Sequence, residues 1–234
     1  MIMVGEAASH AGAVRTRNED SLVCRDDAGL WAVADGAGGH GAGDVASQAV
    51  AAALAGLPRQ LSAAELLAQV RLRLTAVHAD LQAQAAAAGP GRILASTVVV
   101  LLARGGHFAA LWAGDSRIYL LRDGMLKRVT RDHSLVQEMV DEGTLTEAEA
   151  EAHPQANVIT RAIGARGELD LDKLSDRILP GDSFLLCSDG LFKELPEALI
   201  AERLRAGAGA GDLVADAVSA GARDNVTAVV VRVR

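Results

Sequence analysis

Three aspartates in this chain share one setting. Asp35 follows "LWAVA", Asp115 follows "FAALWAG" and Asp189 follows "SFLLCS", so each acid ends an apolar, strand-like run, and two of the three precede glycine. A single Asp-Gly pair is an ordinary turn. Three together ask for more, because carboxylates gathered at buried strand ends repel one another and lose hydration unless a cation sits among them. Arginine can serve, but hard oxygen donors suit Mg²⁺ or Mn²⁺ better. Further acids stand by: Glu19 and Asp20 in "RNED" precede a strand, and Asp224 in "RDN" precedes the last one. No His/Cys cluster has zinc spacing. The expectation is a site for more than one divalent ion.

The loop "LWAVADGAGGHGAG" admits a second reading. Gly36, Gly38 and Gly41 spell G-x-G-x-x-G, a dinucleotide fingerprint. That motif requires a strand soon after the first helix and an acid about twenty residues on, to hold the ribose. Here the residues after Gly36 read as helix, the next such acid, Glu65, lies in another helix, and no strand returns until Ser96. A phosphate-binding Gly-Lys-Ser/Thr is also missing. The carboxylate reading is preferred.

The elements that must hold these acids follow from periodicity. Segments 3–10, 21–26 and 30–35 read as strands, and 43–88 as two helices broken near Gly56-Leu57-Pro58. Ser62 with Glu65 forms a capping box for the second helix. Strands at 96–104, 107–114, 117–122 and 125–129 are joined by the turn pairs Gly105-Gly106 and Asp123-Gly124. The stretch 132–164 is acidic and helical, with a second capping box at Thr146 and Glu149. Strands at 169–178 and 183–188, helices at 196–206 and 211–220, and a strand at 226–233 complete the chain. Hairpins outnumber strand–helix–strand units, which predicts an α+β domain of antiparallel sheets with helices outside them.

Composition narrows the function. Half the 234 residues are apolar and only 3% aromatic, so the core is built from Ala, Val and Leu. The net charge of −7 and the scattered Lys and Arg exclude a nucleic-acid surface. The longest apolar run, 98–103, is too short to span a bilayer, and the first ten residues lack the pattern of a secretory signal. Cys24 and Cys187 read as buried, inert thiols. A cytoplasmic protein without membrane attachment is expected.

Seven ordered blocks carry a family resemblance: "RTRNEDS", "VADGAGGH", "WAGDSRIYLLRDG", "TRDHSLV", "NVITRAIG", "LLCSDGL" and "RDNVTAVVV". The chain resembles the metal-dependent protein phosphatases of type 2C, from about Gly5 to Val233, and is most similar to compact, stand-alone bacterial members acting on serine and threonine. The wording of "LWAVADGAGGHGAG" and "RDHSLVQEMVD" is also similar to the phosphatases that accompany type VI secretion systems. The resemblance implies a four-layer α-β-β-α sandwich, with two antiparallel sheets face to face and helices on both outer sides. It implies one catalytic domain over 1–234, with a mobile flap at about 132–165, acting as a monomer on phosphorylated proteins opposite a serine/threonine kinase.

Residue by residue, Asp35 resembles the carboxylate that bridges two Mn²⁺ or Mg²⁺ ions, with the Gly36 carbonyl as a further ligand. Asp189 and Asp224 resemble the remaining ligands of the first ion, and Glu19 and Asp20 those of the second, directly or through water. Asp115 with Asp189 matches a third, weaker site of bacterial members. Arg15 matches the phosphate-binding arginine, with Arg17 as its neighbouring candidate. Two ions sharing a water bring its pKa toward neutrality, and this water attacks phosphorus without a protein nucleophile. Animal members carry a histidine directly after the Asp-Gly pair, proposed to protonate the leaving alcohol; Ala37 stands there instead. His40, three residues on, serves either as that acid through water or as a stabiliser of the loop. His133 is expected to cap or buttress the helix that follows, and His10, His78, His107 and His153 to be surface or core filler. A phosphoprotein-binding relative without activity is the alternative; the full set of carboxylates argues against it.

Overall fold

Most strands here are apolar on both faces, and the architecture follows from that. The computed structural model describes residues 2–37 and 43–234. One sheet runs, in spatial order, through β1 (Met3–His10), β11 (Val226–Val233), β10 (Ser183–Cys187), β7 (Arg117–Arg122) and β8 (Met125–Arg128). The other runs through β2 (Asp20–Arg25), β3 (Leu30–Ala37), β5 (Val98–Arg104), β6 (His107–Ala113) and β9 (Asp172–Arg177), with the short β4 (Ala95–Ser96) on β3. Every pairing is antiparallel.

Alternate residues of each central strand point into different layers. Trp31, Val33, Val99 and Leu101 meet Phe184, Leu186, Val229 and Val231 between the sheets. Phe108 and Phe184 make an edge contact there, with ring centroids 4.9 Å apart. The residues between them, Leu30, Ala32, Val98 and Val100, face outward onto α1 (Gly43–Ala55) and α2 (Ala63–Ala88). On the other side, Leu185, Cys187, Ala228 and Val230 pack on α6 (Glu197–Arg205) and α7 (Ala210–Ala220). The molecule is therefore a four-layer α-β-β-α sandwich, and the unbroken apolar runs are strands buried on both faces. Among the described residues no helix is long and apolar enough to cross a membrane.

Some details differ from the sequence expectation. The stretch 132–164 is mostly irregular: only α3 (Leu135–Asp141) and α4 (Glu147–Glu151) are helical. The segment lacks a strong apolar face, so little packing holds a longer helix together. Both capping boxes form, Ser62 with Glu65 and Thr146 with Glu149. Strand β9 starts at Asp172, which pairs with Trp112 of β6. Cys187 is buried but Cys24 only half so. A short helix α5 (Asp189–Phe192) starts directly after β10; no helix is expected there from the sequence.

Candidate metal centre

Antiparallel pairing explains why acids distant in sequence meet. The end of one strand lies beside the start of its neighbour, so β3 ending at Ala37 adjoins β2 starting at Asp20, and Asp20 pairs directly with Asp35. In the same way the end of β10 adjoins the start of β11 (Cys187 with Ala228), and the end of β6 adjoins the start of β5 (Ala113 with Val98). These junctions open on one cavity of about 720 Å³. Glu19, Asp35, Gly36, Asp115, Asp189 and Asp224 line it, as do Arg15 and Arg17. Asp20 is packed beneath, close enough to Asp35 for each charge to act on the other. His40 lies outside the described residues.

The backbone around these acids is tightly held. Thr97 N–H donates to the Asp35 carbonyl at 2.8 Å, and Asp35 N–H donates to Thr97 Oγ1 at 3.0 Å. Gly36 N–H donates to Glu19 O at 3.2 Å. A Cβ on Gly36 would collide with the backbone of Gly43, so only glycine lets the loop close here. Gly114, just before Asp115, has φ +108° and lies against Thr97 with no room for a side chain. His133 serves this corner: its N–H donates to Gly114 O (2.9 Å), its Nδ1 accepts from Gly114 N–H (3.3 Å), and its ring stacks on Trp112. Its Nε2 faces Asp172 at 3.3 Å without hydrogen-bond geometry. Burial holds the His133 ring below the ordinary histidine pKa, against the opposing pull of Asp172. The imidazole buttresses a turn and does not cap its helix; Ser134 does that.

The electrostatics mark the site. Burial, and then the charges of the neighbouring aspartates, raise Asp35 well above the carboxylate range. The same causes push Asp115 up to about 7. Asp20 rises to about 6 through burial, opposed by the neighbouring Thr227 and Ser188 side chains. Burial and Asp44 raise Glu19. Such a cluster needs protons or cations. Asp20 Oδ1 is buried without a hydrogen-bond partner, while its Oδ2 accepts from Ser188 Oγ at 2.8 Å. Two side-chain cations are drawn in: Arg15 onto Asp224 at 2.9 Å, and Lys193 onto Asp189. Among the described residues no three acids are already closed up into a coordination shell. An all-oxygen donor set, an orphaned carboxylate oxygen and mutual repulsion fit hard divalent ions.

Several contributors are absent from the sequence reading. Asn225 accepts from Glu19 N–H (2.7 Å) and donates to Ala11 O (3.0 Å) and Arg17 O (2.9 Å), pinning the loop that carries Arg15. Ser188 joins Asp20 to Thr227 N–H (3.0 Å). Lys193, four residues past Asp189, is a helical-face spacing that could have drawn attention to it. His78 is buried, accepts Gly164 N–H at Nδ1 (2.9 Å) and contacts Gly167 O (3.0 Å), so it ties the end of the 132–165 segment to α2.

Known proteins share this fold. The sequence profile described as "Protein phosphatase 2C" matches residues 5–222. The serine/threonine protein phosphatase PstP of Mycobacterium tuberculosis is 40% identical over 227 residues, covering 96% of this chain, which spans only 44% of that protein's length. Among solved structures, PppA, described as a key regulatory component of the type VI secretion system in Pseudomonas aeruginosa, superposes with TM-score 0.91 at 40% identity, covering 99% of this chain and 98% of its own. The PstP catalytic domain in complex with two manganese ions superposes with TM-score 0.84 at 38% identity, covering 99% of each chain.

Proposed function

The chain belongs to the protein phosphatase 2C family, and on that premise we propose that it hydrolyses phosphoserine and phosphothreonine in proteins with two Mn²⁺ or Mg²⁺ ions. The observation that carries this is the convergence of mutually repelling, buried carboxylates on one open polar cavity. Asp35, Asp189 and Asp224 are assigned to the first ion. Asp35, the Gly36 carbonyl, Glu19 and Asp20 are assigned to the second. Bound there, two ions supply charge neutralisation and a water of lowered pKa.

The chain's own groups do the rest. Arg15 is more than half exposed at the cavity rim, and its guanidinium is a planar fork suited to phosphoryl oxygens once released from Asp224. Thr97 and Ser96 fix the Asp35 carbonyl, which keeps that carboxylate aimed into the cavity. Asn157 and Ile159, from the segment at 132–165, form one wall of the cavity. We read that segment as a flap on a single catalytic domain of residues 1–234. With Ala37 after Asp35-Gly36, the leaving alcohol takes its proton from water or through His40. A monomer in the cytoplasm, opposing a serine/threonine kinase, completes the reading. The likeness to PppA supports service beside a type VI secretion system.

The test is hydrolysis of a phosphothreonine peptide with Mn²⁺ and after exhaustive chelation. Activity is expected with the metal and lost without it, and lost in Asp35→Asn and Asp224→Asn. Turnover that survives chelation refutes the two-metal assignment. Binding without turnover under every metal would instead mark a phosphoprotein-binding relative.

A further inference from the structure

Lys193 has no part in the chemistry above, yet its ammonium is seated among the metal-site acids. It bonds Asp189, and its charge also acts on Asp115 and Asp35. Its second partner is Asn157 Oδ1 at 2.7 Å, from the wall of the cavity. The placement is built in. Asp189 opens α5 and Lys193 follows four residues later, bonded N–H to Asp189 O at 3.0 Å, so stem and carboxylate share one face. Phe192, next to it, is clamped beneath the Arg117 guanidinium, 3.7 Å from its ring centroid. Arg117 in turn is held by Asp132 at 2.7 Å. Only 37% of the lysine side chain is exposed.

We propose that Lys193 is a resident cation of the Asp115–Asp189 corner, standing where a third divalent ion would bind and excluding it. This rests on the two-metal reading of the same cavity. A divalent ion entering the corner must displace an ammonium from Asp189 or accept its repulsion at close range. An ammonium a few ångströms from an incoming divalent ion repels it strongly enough to weaken its binding by about tenfold or more. The ammonium bonds one oxygen of Asp189, Oδ2, which leaves Oδ1 to the first ion with Asp35 and Asp224, and the second site at Asp35, the Gly36 carbonyl, Glu19 and Asp20 is untouched.

The test counts Mn²⁺ on the full chain by equilibrium dialysis with elemental analysis, together with the electron paramagnetic resonance signal of free Mn²⁺. The wild type is expected to take up two ions. Lys193→Ala and Lys193→Met are expected to bind a third at least about tenfold more tightly than the wild type. Asp115→Asn in the Lys193→Ala background should abolish that third ion, and Lys193→Arg, which keeps the cation, should hold the count at two. The methionine variant preserves the packed stem, and circular dichroism checks that each variant is folded. Equal affinity of the weakest site in wild type and both lysine variants overturns the proposal. A wild type binding no Mn²⁺ overturns the metal reading itself, whereas three tight ions in the wild type overturn only the role of the lysine.

Discussion

Asn225 offers the sharpest test of how the site is positioned. It is 6% exposed, and one side-chain amide serves three backbone groups, Glu19 N–H, Ala11 O and Arg17 O, at 2.7–3.0 Å. Asn225→Ala removes all three bonds and leaves the backbone partners unmatched. At about 1 kcal/mol per hydrogen bond the cost is roughly 3 kcal/mol, reduced toward 2 where water reaches the loop. For a domain of this size that lowers the melting temperature by roughly 4–12 °C. The loop so released carries Arg15 and Glu19, so kcat/KM should fall by about tenfold or more, since misplacing a binding group by an ångström has effects of that order. Asn225→Asp keeps the acceptor for Glu19 N–H but turns a buried carboxylate on the carbonyls of Ala11 and Arg17, and should be no more stable than alanine. Thermal unfolding in chelator isolates the structural term, and phosphothreonine-peptide kinetics at saturating Mn²⁺ isolate the functional one. A melting temperature within about 1 °C of wild type, or unchanged kinetics in a destabilised variant, would refute the reasoning.

Two further outcomes follow from the same groups. Asp20, Asp35 and Asp115 all have folded pKa values above the ordinary 3.8, Asp20 at about 6 and Asp115 at about 7. Between those limits the metal-free folded chain binds more protons than the unfolded one, so its stability falls as pH rises from about 4 to 7. Chelator-treated protein should therefore melt higher at pH 5 than at pH 8, and Mn²⁺ should abolish or reverse the trend; a metal-free protein more stable at pH 8 contradicts the burial of these acids. Ser188→Ala leaves Thr227 N–H without an acceptor and takes a donor from Asp20, both at a fully buried position. A loss of about 1–3 kcal/mol is expected by denaturant titration, and no measurable loss would show that the bridge is dispensable.

The division between sequence and tertiary structure follows from the range of each interaction. Capping boxes such as Ser62 with Glu65 join residues three apart, so local chemistry alone determines them. The acids at strand ends were legible for a related reason: an apolar run terminated by Asp marks where a buried strand meets solvent, and repetition of that pattern at Asp35, Asp115 and Asp189 implied a shared cation. The outer helices and antiparallel sheets were legible from periodicity and hairpin turns. The bonds that aim those acids were not. Ser188 reaches Asp20 across 168 residues, Asn225 reaches Glu19 across 206, and Arg15 reaches Asp224 across 209. No local pattern encodes such pairs; only the strand register of two stacked sheets brings them within hydrogen-bond distance. Lys193 lies between the two cases. Its spacing from Asp189 is in the sequence, but the helix that makes the spacing meaningful is a single turn, and only the fold brings Asp115 and Asn157 to the same ammonium. The sequence by itself determined which acids end buried strands, and the tertiary structure decided that they share one cavity and which of them already pairs with a side-chain cation.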